Sequence, residues 1–144
     1  MPDMKVNVNA VWDGGVKGNG TLKTDFIDTK IAIPAPLGGS GHGAHPKEVL
    51  VSSVTTCYTA TLVFMLESKK LPVAELTVHS EANISDDEFK ITHHPHIVLS
   101  SGATPEQIES AQRATEAADK GCEVGNMLKK ADVKIEVQGK VSCK

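Results

Sequence analysis

The sequence predicts one domain that combines strands and helices in the order strands, long helix, strands, helix, strand. Its 144 residues have the length of one ordinary domain, and 40% of them are hydrophobic. Segments of alternating hydrophobicity flank two segments of helical character. The chain contains no internal repeat, low-complexity segment or interdomain linker. These observations predict a single domain over residues 1–144.

The first third of the chain predicts strands followed by a loop. Alternating or β-branched runs extend from Val6 to Trp12 and from Gly20 to Ile33, and a glycine-rich stretch suited to tight turns separates them. They predict two or three strands. The segment from Pro34 to His45 is rich in glycine and proline, so it predicts a loop.

A long helix is predicted after this loop. Pro46 suits the first position of a helix, and neither proline nor glycine recurs before Pro72. The pattern predicts a helix from about Pro46 to Lys69. Its middle has no charge and is rich in β-branched and hydroxyl residues, which are mediocre helix formers. Such a helix has to be stabilised by tertiary burial.

The second half of the chain predicts a hairpin, a capped helix and a last strand. Thr104 and Gln107 have the spacing of a capping box, with proline between them at the first helical position. The predicted elements are strands Leu76–Ile84 and Phe89–Ser100, a helix from about Pro105 to Asp119, a helical turn from Cys122 to Lys129, and a strand from Val133 to Val141.

Composition argues against several classes of partner. The net charge of -3 and pI of about 6.0 indicate neither a nucleic-acid patch nor a polybasic membrane segment. The N-terminus lacks the apolar core of a secretory signal, and no stretch is expected to approach the roughly 20 apolar residues of a membrane span. The three cysteines are too few for a disulfide framework. We therefore expect a cytoplasmic protein with reduced or redox-active thiols and no membrane or nucleic-acid partner.

Two cysteines are candidates for chemistry. Cys57 lies on a mainly apolar stripe of the predicted long helix, where a cysteine can also simply pack as a small hydrophobic residue. Cys122 follows Gly121 at a helix start, where free N–H groups favour a thiolate, and Lys120 is close by. The two form a candidate redox pair, provided that their Cα atoms come within about 7 Å.

Other candidate sites are weaker. His93, His94 and His96, with His42 and His45, suggest a metal site, but alternation along a strand places His94 and His96 on one face and His93 on the other. The glycines at 38–41 are not followed by the Lys-Ser/Thr of a phosphate loop. We therefore predict no metal and no cofactor.

Three segments together resemble the OsmC/Ohr family of osmotically inducible and organic hydroperoxide resistance proteins. The stretch from Ala32 to Leu50, continuing through Thr55-Thr56-Cys57, resembles the family's Gly-rich loop, helix start and helical cysteine. The stretch from Trp12 to Thr21 resembles its opening hairpin, and Lys120 to Asn126 resembles its second-cysteine segment. The resemblance covers nearly the whole chain.

This resemblance implies an α+β, OsmC-like fold in which a largely antiparallel sheet wraps around a long central helix. It also implies an intertwined homodimer with active sites at the interface. The implied function is thiol-dependent reduction of organic hydroperoxides in defence against oxidative stress. Cys57 matches the peroxidatic cysteine and Cys122 the resolving one. In the Ohr branch the disulfide is reduced by a thiol reductant of the dihydrolipoyl type.

The sequence departs from the family at the activating residues. Ohr-type enzymes use an arginine from the opening hairpin and a glutamate ten residues before the peroxidatic cysteine. Here Lys47 occupies the glutamate position, the hairpin offers Lys17, and the sole arginine, Arg113, matches no catalytic position. Lys17 or Lys47 are candidate cations and Glu48 a candidate carboxylate to hold one of them. Alternatively, Lys47 and Glu48 are solvated first-turn residues.

Three functional hypotheses follow. The first is a peroxidase that uses Cys57 and Cys122. The second is a binding or redox-sensing protein that keeps the fold and the thiol pair but turns over poorly without the Arg–Glu pair. The third is a dimeric protein whose cysteines only pack in the core.

Overall fold

The computed structural model describes residues 3–144, which form two compact units, one ending at Leu50 and the other beginning at Val51. The single-domain interpretation stays a prediction. The strands are β1 (Asn9–Asp13), β2 (Asn19–Lys23), β3 (Asp28–Ile31), β4 (Val73–Ile84), β5 (Phe89–Leu99), β6 (Lys134–Val137) and β7 (Lys140–Cys143). The α-helices are α1 (Pro46–Ser68), α2 (Pro105–Lys120) and α3 (Glu123–Lys130).

The first unit contains an antiparallel sheet in the order β1-β2-β3. The two opening runs therefore form three strands. The predicted loop after them contains one 3-10 turn, Ala35–Leu37, and a parallel bridge between Ile31 and Ala44. Glycine is required in this loop because a Cβ atom on Gly43 would lie 2.6 Å from the carbonyl carbon of Ile31.

The long helix α1 confirms its prediction to within one residue. At its start the backbone N–H of Glu48 donates to His45 Nδ1 at 3.3 Å. Four threonine hydroxyls along the helix each donate to the carbonyl four residues earlier, at 2.7–2.8 Å. The backbone carbonyls of this helix thus provide hydrogen-bond acceptors for its own threonine hydroxyls. These threonines are Thr55, Thr56, Thr59 and Thr61.

The expectation that no segment has the length and apolarity of a membrane span is wrong for α1. By length and composition alone this helix could cross a membrane. The reason is that its middle is filled by small, uncharged residues without any Asp, Glu, Lys or Arg. The core helix of a soluble protein passes the same test, and α1 contributes four fully or nearly fully buried side chains to the core of the second unit.

The second unit has a four-stranded sheet organised around β5. The hairpin β4–β5 is antiparallel, whereas β6 and β7 both pair with β5 in parallel. The prediction of one last strand from Val133 to Val141 is therefore wrong, because the chain is interrupted at Gln138 and Gly139. The N–H of Gln138 still donates to the His93 carbonyl at 2.9 Å, so the interruption stays bound to β5.

The core of the second unit lies between its sheet and the helices α1 and α2. The capping box of α2 is confirmed, with Gln107 N–H donating to Thr104 Oγ1 at 3.1 Å and Thr104 N–H donating to Gln107 Oε1 at 2.9 Å. Small alanines on α2 permit close packing. The buried core residues of these elements are Val54, Tyr58, Leu62, Leu66, Ile91, Ile97, Leu99, Ala111, Ala114 and Ala118.

The close contact between Gly139 and α2 leads to a stability prediction. A Cβ atom on Gly139 would lie 2.6 Å from Thr115 Oγ1 and 2.9 Å from Thr115 Cβ. Thr115 is fully buried, so it has no room to move aside. We expect Gly139→Ala to lower the free energy of unfolding by about 1–3 kcal/mol through overpacking, measured by urea denaturation.

Gly15→Ala is the matched control for this substitution. No atom lies within 4 Å of a Cβ atom built on Gly15. We expect this variant to change the free energy of unfolding by less than about 0.5 kcal/mol. Equal urea midpoints for the two variants would contradict the close packing at Gly139.

Candidate active site

The second unit brings the two candidate cysteines together. Cys57 lies in the middle of α1 and is half-buried, whereas Cys122, immediately before α3, is 1% exposed. The Cys57 and Cys122 side chains are joined by a hydrogen bond that raises the pKa of Cys122. Cys57 and Cys122 therefore lie within interaction distance of each other, and both thiols are free.

The prediction that Cys122 favours a thiolate is wrong. Cys122 does cap α3, and its sulfur accepts the N–H of Gly125 at 3.4 Å, which lowers the thiol pKa. Burial has the larger effect, and with the hydrogen bond to Cys57 it raises the pKa of Cys122 to about 11. Desolvation of the charged form thus outweighs the helix N-terminus. Cys122 stays protonated at neutral pH.

Small residues allow α3 and α1 to approach the Cys122 segment. A Cβ atom on Gly125 would lie 3.2 Å from Cys122 Sγ, and one on Gly121 would lie 3.4 Å from side-chain carbons of Thr61 and Met65. Cys57, Thr61 and Met65 occur at four-residue intervals on α1, so they share one face of that helix. Apolar side-chain atoms of α1 therefore cover this side of the thiol pair.

The predicted activating residues lie in the first unit. Lys17 is exposed in the turn between β1 and β2, and Lys47 and Glu48 are exposed in the first turn of α1. Lys47 also contributes to an apolar cavity of about 600 Å³ formed by residues of the first unit. A role for these three residues at Cys57 stays a prediction. Arg113 lies elsewhere, on α2, and pairs with Glu109 at 3.1 Å.

Sequence reasoning gave no role beside the thiol pair to three polar residues, Tyr58, His93 and Asp119. Tyr58 is fully buried and its hydroxyl donates to the Thr115 carbonyl at 2.7 Å. Its ring stacks on His93 with a centroid separation of 4.5 Å. Burial raises the pKa of Tyr58, and the charges of Asp119, Glu116 and Cys122 add to this effect. The signal available in the sequence was the position of Tyr58 beside Cys57, and of Asp119 three residues before Cys122.

The predicted arrangement of histidines along β5 is confirmed. His93 is buried, and His94 and His96 are half-buried on the opposite face. His94 Nε2 lies 3.0 Å from Glu81 Oε1, and His96 Nε2 lies 2.8 Å from Ser142 Oγ. Within residues 3–144, no group of three or more His, Cys, Asp or Glu side chains is placed to hold a metal ion.

Buried His93 gives a prediction about acid stability. Burial lowers the pKa of His93 from its usual 6.5. The Asp119 charge opposes this shift, whereas the charges of Lys129 and His94 lower the pKa further. Below pH 6.5 the unfolded chain therefore binds a proton that the folded protein does not, so acid destabilises the fold. We expect His93→Phe to reduce the loss of unfolding free energy between about pH 6.5 and pH 5, by up to about 1.4 kcal/mol per pH unit.

Urea denaturation at a series of pH values measures this effect. Exposed His42 provides the matched control, since His42→Phe makes the same chemical change at a solvent-exposed histidine. We expect the control to lose as much unfolding free energy per pH unit below about pH 6.5, its acid slope, as the unmodified protein does. The same acid slope in the His93 variant and the unmodified protein would count against a neutral, buried His93.

Comparison with known proteins decides the family. The family model described as OsmC-like protein matches residues 39–138, which include both Cys57 and Cys122. The chain belongs to the OsmC-like protein family. The resemblance read from the sequence is therefore confirmed, and so is the α+β, OsmC-like fold. The antiparallel pairs predominate, with β6 and β7 as the parallel exceptions.

Relatives of this OsmC-like protein include one from Bacillus subtilis, the uncharacterized protein YmaD, which is 29% identical over 98% of this chain and 97% of its own length. An OsmC-like protein from Mycoplasma pneumoniae has a TM-score of 0.75 at 20% identity, covering 98% of this chain and 99% of that chain. An organic hydroperoxide resistance protein from Elizabethkingia anophelis has a TM-score of 0.64 at 26% identity, covering 100% of both chains.

Proposed function

We propose that this OsmC-like protein is a thiol-dependent peroxidase that reduces organic hydroperoxides and protects against oxidative stress. The observation that carries the proposal is the contact between Cys57 on α1 and the buried Cys122 thiol. A second thiol within reach of the attacking sulfur is what the resolving step requires. The apolar surroundings suit a substrate with an organic group.

The proposed reaction has two steps. The Cys57 thiolate attacks the terminal oxygen of the hydroperoxide, the O–O bond breaks, and the alkoxide takes up a proton and leaves as an alcohol. Cys57 is then a sulfenic acid. The Cys122 sulfur attacks Cys57, an S–S bond forms, and the hydroxyl group leaves as water. A dithiol reductant, such as a dihydrolipoyl group, reduces the disulfide by thiol–disulfide exchange.

No metal or cofactor takes part in the proposed reaction, and the second thiol protects Cys57 from further oxidation. Because the three cysteines are free thiols, we propose that the protein works in the reducing cytoplasm. We propose no membrane partner and no nucleic-acid partner. The low net charge argues against binding to nucleic acid.

We also propose that the working protein is a homodimer with its active sites at the interface. The middle of α1 presents a face of small and apolar side chains on which Phe64 is 77% exposed and Val63 is 45% exposed. All five residues of β1 are exposed as well. Apolar surface of this kind requires a covering partner, and a second copy of the chain supplies one.

Steady-state turnover tests the proposed function. We expect the protein to consume cumene hydroperoxide continuously with dihydrolipoamide as reductant, and to contain a Cys57–Cys122 disulfide after peroxide treatment without reductant. Oxidation by one equivalent of peroxide without turnover would instead support a binding or redox-sensing protein. The absence of any Cys57 sulfenic acid or Cys57–Cys122 linkage by mass spectrometry would leave the cysteines as packing residues.

A further inference from the structure

A buried polar cluster lies next to the thiol pair in the second unit. Tyr58 directly follows Cys57 on α1, and its ring stacks on His93, which is 1% exposed. His93 Nδ1 lies 2.7 Å from Ser80 Oγ. Asp119 closes the last turn of α2, and its backbone carbonyl accepts the N–H of Cys122 at 3.3 Å. The cluster therefore connects the elements that carry both thiols.

Two atoms of this cluster have no hydrogen-bond partner among residues 3–144. They are His93 Nε2 and Asp119 Oδ1, and both are buried. The other carboxylate oxygen, Asp119 Oδ2, accepts a hydrogen bond from the Lys129 ammonium at 2.9 Å. Native proteins pair nearly all buried polar atoms, so the unpaired carboxylate oxygen marks Asp119 as a candidate for a role in the chemistry of this site.

The Asp119 carboxylate acts electrostatically on the whole cluster. Its negative charge raises the pKa of Tyr58, His93 and Cys122. Burial nevertheless keeps His93 neutral, since it lowers the pKa of this imidazole. A neutral His93 forms no salt bridge with Asp119, which leaves Oδ1 available to accept a proton.

The second step of the proposed reaction needs such an acceptor. With a pKa of about 11, Cys122 is a thiolate at neutral pH in only roughly one molecule in ten thousand. The thiolate is the form that attacks sulfur. Rapid disulfide formation therefore requires a group that removes the Cys122 proton as the S–S bond forms.

We propose that Asp119 is this group: its unpaired Oδ1 accepts the Cys122 proton through one water molecule as the Cys122 sulfur attacks Cys57. The electron pair of the Cys122 sulfur forms the S–S bond, and the Cys57 S–O bond breaks. The departing hydroxide takes this proton from Asp119 and leaves as water, which returns Asp119 to its ionised state. The inference rests on the proposed function, and it assigns Asp119 to the resolving step only.

The resolving step can be measured without any hydroperoxide. In a Cys143→Ser background, dithiodipyridine forms a mixed disulfide with Cys57 and releases one thiopyridone. Attack by Cys122 then releases a second thiopyridone in a separate phase. The titratable groups that face the reacting side chains are Cys57, Tyr58 and Asp119 at Cys122, and Lys129 and His93 at Asp119.

We expect Asp119→Asn to slow the second phase at least tenfold at neutral pH and to leave the first phase unchanged. Without its acceptor, Cys122 reacts only as preformed thiolate, so the rate becomes proportional to hydroxide between about pH 6 and pH 8. The unmodified protein is expected to have a nearly flat rate in this range. A purely electrostatic role gives the opposite result, because loss of the negative charge lowers the Cys122 pKa and accelerates the second phase.

Two matched variants separate the carboxylate from its surroundings. Lys129→Gln removes the salt bridge and keeps the Asp119 carboxylate. Glu116→Gln removes an exposed carboxylate three residues earlier on the same helix. We expect both to keep the second phase within about threefold of the unmodified rate, with the flat pH profile. An equal slowing by Lys129→Gln and Asp119→Asn would overturn the proposal.

The unmodified protein provides an independent test if Asp119→Asn does not fold. A proton transfer within the second phase predicts a solvent deuterium isotope effect on that phase, together with the flat pH profile. A rate that rises tenfold per pH unit in the unmodified protein would overturn the proposal. Failure to reduce hydroperoxides would overturn the proposed function instead, and it would be seen in the separate turnover assay.

Discussion

Cys57→Ser is expected to abolish the reduction of cumene hydroperoxide by dihydrolipoamide, with a loss of at least about a thousandfold in turnover. A serine hydroxyl at this position lacks the thiolate that attacks the peroxide oxygen. Cys122→Ser is expected to stop turnover as well, but at a different stage. Cys57 should then still be oxidised, and its sulfenic acid should accumulate and proceed to the sulfinic acid under excess peroxide.

Cys143→Ser is the matched control for both variants. Cys143 is exposed at the end of β7, the last strand of the chain, and no role is proposed for it. Turnover is therefore expected to be unchanged. The assay is peroxide consumption at saturating reductant, with mass spectrometry to identify the state of each cysteine. Full turnover by Cys57→Ser would exclude Cys57 as the peroxidatic residue.

Phe64→Glu is expected to convert the proposed homodimer into a monomer. The Phe64 ring is 77% exposed on the uncharged face of α1, where a buried, unpaired carboxylate in a dimer interface would be strongly unfavourable. Size-exclusion chromatography with light scattering measures the molar mass, which should fall from twice 15.3 kDa to that of one chain. Because the active sites are proposed to lie at the interface, turnover should fall with the dimer.

Phe26→Glu provides the control for this experiment. Phe26 is 100% exposed in the turn between β2 and β3, so the same chemical change is made on a different element of the chain. We expect this variant to remain dimeric and active. A Phe64→Glu protein that keeps the mass of the unmodified protein would show that this face of α1 is not the interface.

Local sequence patterns predicted the helices well because the signals that define helix ends are themselves local. Pro46 marked the start of α1, and Thr104 with Gln107 marked the start of α2 through a capping box that the structure contains. The final strand was predicted less well. Its interruption at Gly139 exists because this residue packs against Thr115, a contact between residues far apart in the chain.

The resemblance to the OsmC/Ohr family could be read from the sequence because it depends on the order and spacing of short motifs. The proton chemistry of the site could not. Cys122 lies at a helix start, a position that favours a thiolate, yet burial and the contact with Cys57 raise its pKa. Desolvation depends on which side chains cover the thiol, and that is decided by the packing of α1 against the segment between α2 and α3.

The polar cluster illustrates the same division. The sequence pointed to His93, on β5, only as a weak metal-ligand candidate, and it gave no role to Asp119 at the end of α2. Only tertiary packing buries His93 Nε2 and Asp119 Oδ1 and leaves both without a partner among the described residues. Residue order thus determined the helices, the cysteines and the family. Tertiary structure decided which thiol burial keeps protonated and which buried polar atoms stay unpaired, because burial and distance are properties of the folded chain alone.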